Sequence, residues 1–487
     1  MATPYQAHPA RAAALLFSAL VALAGCSDSP GSSMLPAPDA SRVPPGDAGG
    51  ADSARPDGDA SRPTTRDAAT TRDAATARDA ATARDAATAR DAATTRDAAT
   101  TPTPSAGFCP PFVDSGLHTT PTRVVPVTVA DGDPRAHNLV SALQDASDGD
   151  EILIAPGTYQ IDRYAINITA SVTIRGMTGN RDDVIIRGAG YGTGGETLMV
   201  RAPGVTIADL SLTNMRNHAI SLKPGADNAT IYNVHIYDVG TQLIKGSAGP
   251  FRNGLIACSS IGYSEGAVRG DYINGIDIHH AIDWVIRDNY IYNIWGDGSG
   301  CEVDIDCGTY QAGGGPAILL WNGSSGNVVE RNIIVESFMG IALGYGRTDH
   351  PGGVIRNNFI YRSRSGGDMG IHLDSARGTI IDHNTVYNAG SYPGDIELRR
   401  SSGIRIRNNL TTAPVWDRGG NSYTETGNLS TLAISDFRTP GEPDIRSGAA
   451  AQNCRDAVVI DTIPTDIAGQ PRVSGPGPDC GAFEVQE

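Results

Sequence analysis

Lysine is scarce in this chain, and where it occurs is chemically informative. Of 38 basic residues only Lys223 and Lys245 are lysine, leaving 38 − 2 = 36 arginines. Arginine stays protonated throughout the physiological range. An amine beside another cation and partly desolvated can instead shed its proton near neutral pH and take one from carbon. Seven segments align around these lysines: AISLK (219–223), TQLIK (241–245), GIDIH (275–279), AILLW (317–321), GIALG (340–344), GIHLD (370–374) and DIELR (395–399). Their second and fourth positions are mostly apolar, so the third and fifth share the other face of a strand. The fifth column reads Lys223, Lys245, His279, Trp321, Gly344, Asp374, Arg399, and the third reads Ser221, Leu243, Asp277, Leu319, Ala342, His372, Glu397. TQLIK departs from the alternation at Gln242. This alignment makes Lys245 the base. Lys223 lowers its proton affinity from the same slot of the neighbouring strand, and Asp277 with His279 orients it or donates a proton.

Trp321 offers a flat apolar body suited to the face of a sugar ring. Further along, His372 should pair with Glu397 and Asp374 with Arg399, either as a substrate-binding group or as a surface salt-bridge ladder. Arg399 is placed to hold a carboxylate. Asp374 and Glu397 lie one strand and two residues apart, about 8 Å by strand geometry, near the separation of the two carboxyls of inverting glycoside hydrolases. Gly344 and Ala342 present no bulk and suit the floor of a cleft. The acidic stretch from Asp297 to Cys307 clusters oxygen ligands of the kind calcium takes, but its spacing matches no defined loop. No other metal or cofactor is indicated.

The elements that position these residues repeat. GIDIH…WVIRDNYIYNI, AILLW…VVERNIIVES, GIALG…GVIRNNFIYRS, GIHLD…TIIDHNTVYNA and DIELR…IRIRNNLTTA place Asn289, Asn332, Asn358, Asn384 and Asn409 in one slot, with spacings of 43, 26, 26 and 25 residues. Each unit alternates with period two, so it is built of strands rather than helices. One unit cannot bury its apolar face alone and must stack on its neighbours. The expected fold is all-β, a single-stranded right-handed parallel β-helix of about 25 residues per coil. Asn in the fixed slot should occupy a sharp, left-handed bend and bond its counterparts in a ladder at the strand spacing of about 4.8 Å.

At the N-terminus, Arg11 precedes an apolar run, Ala12 to Ala24, too short to span a bilayer. It ends in Leu23-Ala24-Gly25-Cys26, which looks like the lipobox of bacterial lipoproteins. That resemblance implies a signal peptide over residues 1–25, lipidation of Cys26 and a cell-envelope location anchored to a membrane. No other segment reads as a membrane span. Residues 26–106 are rich in Pro, Ala, Asp and Thr, with RDAAT repeats beginning at Arg66, Arg72, Arg78, Arg84, Arg90 and Arg96. Balanced charge and no apolar stripe describe a disordered tether reaching on the order of 50 Å. The folded body is expected over 107–487. Cys109, Cys258, Cys301, Cys307, Cys454 and Cys480 are an even set suited to disulfides in an oxidising compartment. Cys301 with Cys307 and Cys454 with Cys480 are the expected pairs, among about 15 connectivities. A net charge of −16 argues against nucleic acid as partner, while a local cationic groove remains compatible with an acidic polysaccharide.

NLVSALQDASDGDEILIAPGTYQI followed by SVTIRGMTGNRDDVIIRGAG, a short helix and then GD-x-I-x-I-x-PGTY, resembles the start of right-handed parallel β-helix proteins of the pectate-lyase superfamily. Asp466, Gly469 and Arg472, then Asp479, Gly481, Ala482 and Glu484, resemble the D-x-x-G-x-x-R…D-x-G-A-x-E closure of exported bacterial β-helix proteins. The resemblance covers about residues 124–487. It implies a helical cap near Leu139–Ala146, a closure after about Asp444, and activity on polysaccharide, since members include lyases, hydrolases and epimerases. The leading expectation is a polysaccharide lyase or uronate epimerase acting by C5 proton abstraction. An inverting hydrolase and a non-catalytic carbohydrate-binding or adhesion module are the alternatives. The sequence leaves the oligomeric state open.

Overall fold

The structure is a computed structural model that describes residues 109–129, 136–162, 165–190, 198–264, 273–296, 314–389, 394–437, 439–441, 453–455, 457, 463–473 and 476–484. The signal segment, Cys26, the RDAAT repeats, Cys301, Cys307 and the acidic stretch from 297 to 307 lie outside the described residues. Among the described residues no helix is long and apolar enough to cross a membrane.

The chain winds into a right-handed parallel β-solenoid of about nine turns, each of about 26 residues. One side of every coil contributes to a ten-stranded parallel sheet that takes its strands in strict chain order, from Ile166–Ile168 to Trp416–Asp417. The rest of the coil supplies two shorter strands, such as Val285–Arg287 and Tyr290–Tyr292, to a second, twenty-stranded sheet. Period-two alternation builds the core directly, because each inward residue stacks on its equivalent in the next coil. Ile220, Ile244, Ile276, Ile318, Ile341, Ile371 and Ile396 form one such column, all fully buried.

The asparagine ladder is present and buried. Nδ2 of Asn289, Asn332, Asn358 and Asn384 each donates to Oδ1 of the next Asn at 2.9–3.0 Å, and Asn409 extends the series to Asn428 at 3.0 Å. The left-handed bend, however, belongs to the residue before each ladder Asn. Asp288, Arg331, Asn357, His383 and Asn408 have φ between 51° and 57°. That turn aims the following amide inward, where carbonyls of the preceding coil, such as Ile286 and Val329, accept its second N–H.

The helix His137–Gln144 buries Leu139, Val140 and Leu143 against the first coils. At the other end, the closing motif lies along the flank and clips onto the left-handed bends. Arg472 bonds the side chain of Asn357, the Asp479 carbonyl meets His383 Nδ1 at 3.0 Å, and Gly481 N–H donates to the Asn408 carbonyl at 2.7 Å. Asp466 and Glu484, both fully buried, knit the motif together, with Asp466 accepting the N–H groups of Ala468, Gln470 and Glu484. Cys454 and Cys480 are joined as expected, and Cys109 pairs with Cys258.

Candidate functional site

The ten-stranded sheet corrects the lysine column. Lys245 sits opposite Ser221 on one side and Asp277 on the other, so it belongs to the third column, and the same register puts Ser247 beside Lys223. The two lysines do not share a slot, and the argument that Lys223 tunes Lys245 from an equivalent position lapses. The cause is Gly246, which takes the inward place that Leu222 and Ile278 fill in adjacent coils. A Cβ on Gly246 would stand 2.7 Å from Ile278 Cγ2 and 3.1 Å from the Phe251 ring. Phe251, from later in the same coil, occupies the space the glycine leaves.

The corrected register brings Lys245 onto the predicted partners. Its Nζ donates to Asp277 Oδ2 at 2.5 Å and lies 3.2 Å from His279 Nε2. Asp277 is fully buried, and its other oxygen accepts the indole N–H of Trp321 at 2.9 Å. The Trp321 ring meets His279 edge to face, centroids 4.6 Å apart. Burial, the Lys245 charge and His280 hold the His279 imidazole below its ordinary value against the pull of Asp277, so the ring is neutral at neutral pH. A neutral ring that accepts from Lys245 at Nε2 carries its proton on Nδ1. Asn322 Nδ2 lies 3.2 Å from Nδ1, so this tautomer requires the Asn322 amide to be turned over, with its carbonyl oxygen accepting from Nδ1.

The second predicted group is brought together, with His372 Nδ1 3.7 Å from Glu397 Oε1 as expected, but the arginines pair differently. His372 faces Glu397 and Asp374 faces Arg399 in register, yet the salt bridges cross. Arg399 turns back onto Glu397 of its own strand, and Arg400 Nη2 reaches both Asp374 oxygens at 2.5 Å. Arg400 has φ 50°, which swings it back over the sheet. These are buried groups rather than a surface ladder, with His372, Asp374 and Glu397 at most 2% exposed. Burial pushes the Asp374 carboxyl up, but the Arg347 N–H, Arg400 and Ser375 together hold it below the usual range. It is therefore unsuited to be the protonated acid that inverting hydrolysis requires. His372 is held down to about 3 by burial and then by Arg399.

Between the two groups lies an apolar floor of Leu319, Met339, Ala342 and Met369. Tyr345, which follows Gly344 and was not singled out in the sequence, joins them: its ring is 6.0 Å from Trp321 and 5.5 Å from His372. Arg400, Trp416 and Arg418 were also missed, because they lie where the strand alternation ends. Among the described residues no group of three or more His, Cys, Asp or Glu stands where it could hold a metal ion.

Residues 274–413 match the family model described as right handed beta helix region. No curated protein matches the chain. Among solved structures, pectate lyase Pel9A superposes with a TM-score of 0.52 at 12% identity, over 76% of this chain and 98% of that one. An alginate lyase from Paenibacillus sp. str. FPU-7 gives 0.45 at 21% identity, over 62% and 98%. The A-module of the Azotobacter vinelandii mannuronan C-5 epimerase AlgE6 gives 0.36 at 13%, over 59% and 84%. What this chain shares with Pel9A, at that identity, is the fold: a pectate-lyase-like right-handed parallel β-helix.

Proposed function

We propose that this chain is an exported, membrane-anchored protein that acts on an acidic polysaccharide, removing the C5 proton of a uronic acid at Lys245 and eliminating the bond at C4. The observation that carries the reading is the lysine held between a buried carboxylate and a neutral imidazole beside an aromatic platform. Pectate lyase Pel9A shares this fold, which supports the substrate class. In the resting site Lys245 is ion-paired to Asp277, so it must first give up a proton, and His279 Nε2 is 3.2 Å away to take it. The free amine then accepts the C5 proton. The C5–H electron pair forms the C4–C5 double bond, the C4–O4 bond breaks, and the imidazolium returns its proton to O4. Both residues end as they began. Trp321 supports the sugar ring, and Lys223, in the row of His279, supplies positive charge for the carboxylate.

The test is turnover on a panel of acidic polysaccharides, read as ultraviolet absorbance of the new double bond and as reducing ends. Lys245→Arg keeps the charge but cannot supply a neutral amine, and it should lose at least ~100-fold in turnover with binding largely kept. Wild-type turnover by that variant would exclude Lys245 as base. Inertness of the wild type on every glycan, with binding retained, would favour a binding module.

A further inference from the structure

Four strands beyond Asp277, the same sheet carries a cluster the proposed chemistry does not use. Glu397 is fully buried, and its Oε2 has no hydrogen-bond partner; neither has Nδ1 of the buried His372, 3.7 Å from Glu397 Oε1. Native folds rarely leave such atoms unmatched unless something else completes them. Three guanidiniums surround the spot. Arg399 covers Glu397 Oε1, Arg400 holds Asp374, and Arg418 stacks 4.3 Å over the Trp416 ring with Nη1 3.9 Å from Glu397 Oε2, an ion pair too long to be a hydrogen bond. Against two carboxylates this leaves a surplus of 3 − 2 = 1 positive charge, on a chain whose net charge is −16. The arginine side chains are 32%, 46% and 38% exposed, so they can be reached from solvent.

We propose that Arg399, Arg400, Arg418 and Glu397 form a second recognition site for an acidic sugar of the same polymer. It lies about 19 Å from Asp277 by four strand spacings, so the protein grips a chain of several sugars. This rests on the proposed activity on an acidic polysaccharide. A carboxylate on the ligand engages Arg418 and draws Arg399 outward, and a ring hydroxyl then donates to Glu397 Oε2. Trp321 and Tyr345, half-buried over the apolar cluster that contains Leu319 and Ala342, carry the intervening sugars.

The experiment is calorimetric titration of the full-length chain and its Arg418→Ala variant with dimers and octamers of galacturonate and of alginate uronates. The wild type should bind one octamer series more tightly than its dimer. Arg418→Ala should weaken the octamer by about tenfold, one charge-assisted contact, and the dimer by much less, with unchanged melting. Equal weakening of both, no effect on either, or no binding of any probe by the wild type would overturn the second site. Because binding is read without turnover, an Arg418-dependent octamer that is never cleaved sinks the lyase reading alone. Cleavage that ignores Arg418 sinks this one alone.

Discussion

Asp209 displays at single-residue scale what the solenoid does to charge. It is fully buried with φ 54°, its Oδ1 accepts from Asn233 at 2.7 Å, and its Oδ2 has no hydrogen-bond partner. Burial pushes the carboxyl up to about 6, against the Asn233 bond and the Arg175 and His118 charges. Because the folded state holds this proton more tightly than the unfolded chain, stability is lost as pH rises from the ordinary 3.8 through about 6, and the penalty is complete above that. Asp209→Asn keeps the shape, tolerates the left-handed backbone and removes the charge. It should stabilise the body by about 1 to 3 kcal/mol at pH 7 and by nothing below about pH 4, as read by melting across that range. A variant no more stable than wild type at pH 7 would show that the carboxylate is compensated where it sits.

At the scale of elements, the ladder and the glycine gap make opposite demands. Asn384→Ala removes bonds to Asn409 Oδ1, Ile355 and Asp382 and strips the acceptor from Asn358. It should cost on the order of 1 to 3 kcal/mol, and melting equal to wild type would remove the ladder as a stabiliser. Gly246→Ala adds an atom where Ile278 and Phe251 leave no room. It should cost about 1 to 3 kcal/mol and, if Lys245 is displaced, lower turnover as well, whereas full activity and stability would mean the strand simply shifts. These two cases also explain what was legible. The ladder could be read because the same amide returns every coil in the same slot. The position of Lys245 could not, since an inward glycine looks like a turn and its void is filled by Phe251, whose role only the folded coil reveals. The crossing of Arg399 and Arg400 was hidden for a related reason: the strand ends at Arg399, and alternation says nothing about a left-handed residue beyond it. Asp277, His279 and Trp321 were correctly brought together because they sit inside regular strands.

At the scale of the whole molecule, stacked coils depend on their neighbours and on clips along the flank. Shortening the RDAAT repeats should leave melting temperature and any turnover of the body unchanged, because the repeats carry no apolar stripe to pack. A melting shift on shortening would show that they dock. The flank clips have a further consequence. Cys109 is bonded to Cys258, 149 residues later, and Phe112 is buried with Ala208, Tyr232 and Ala257 beside it. A pull applied through the residues before Cys109 therefore does not reach the first strand, Arg123–Val127, and cannot unzip the solenoid from its end. Tension passes through a covalent link into a coil already flanked on both sides. The early coils hang slack beside the load path, so a body held through the residues before Cys109 can be dragged by its middle while the coils before it stay closed.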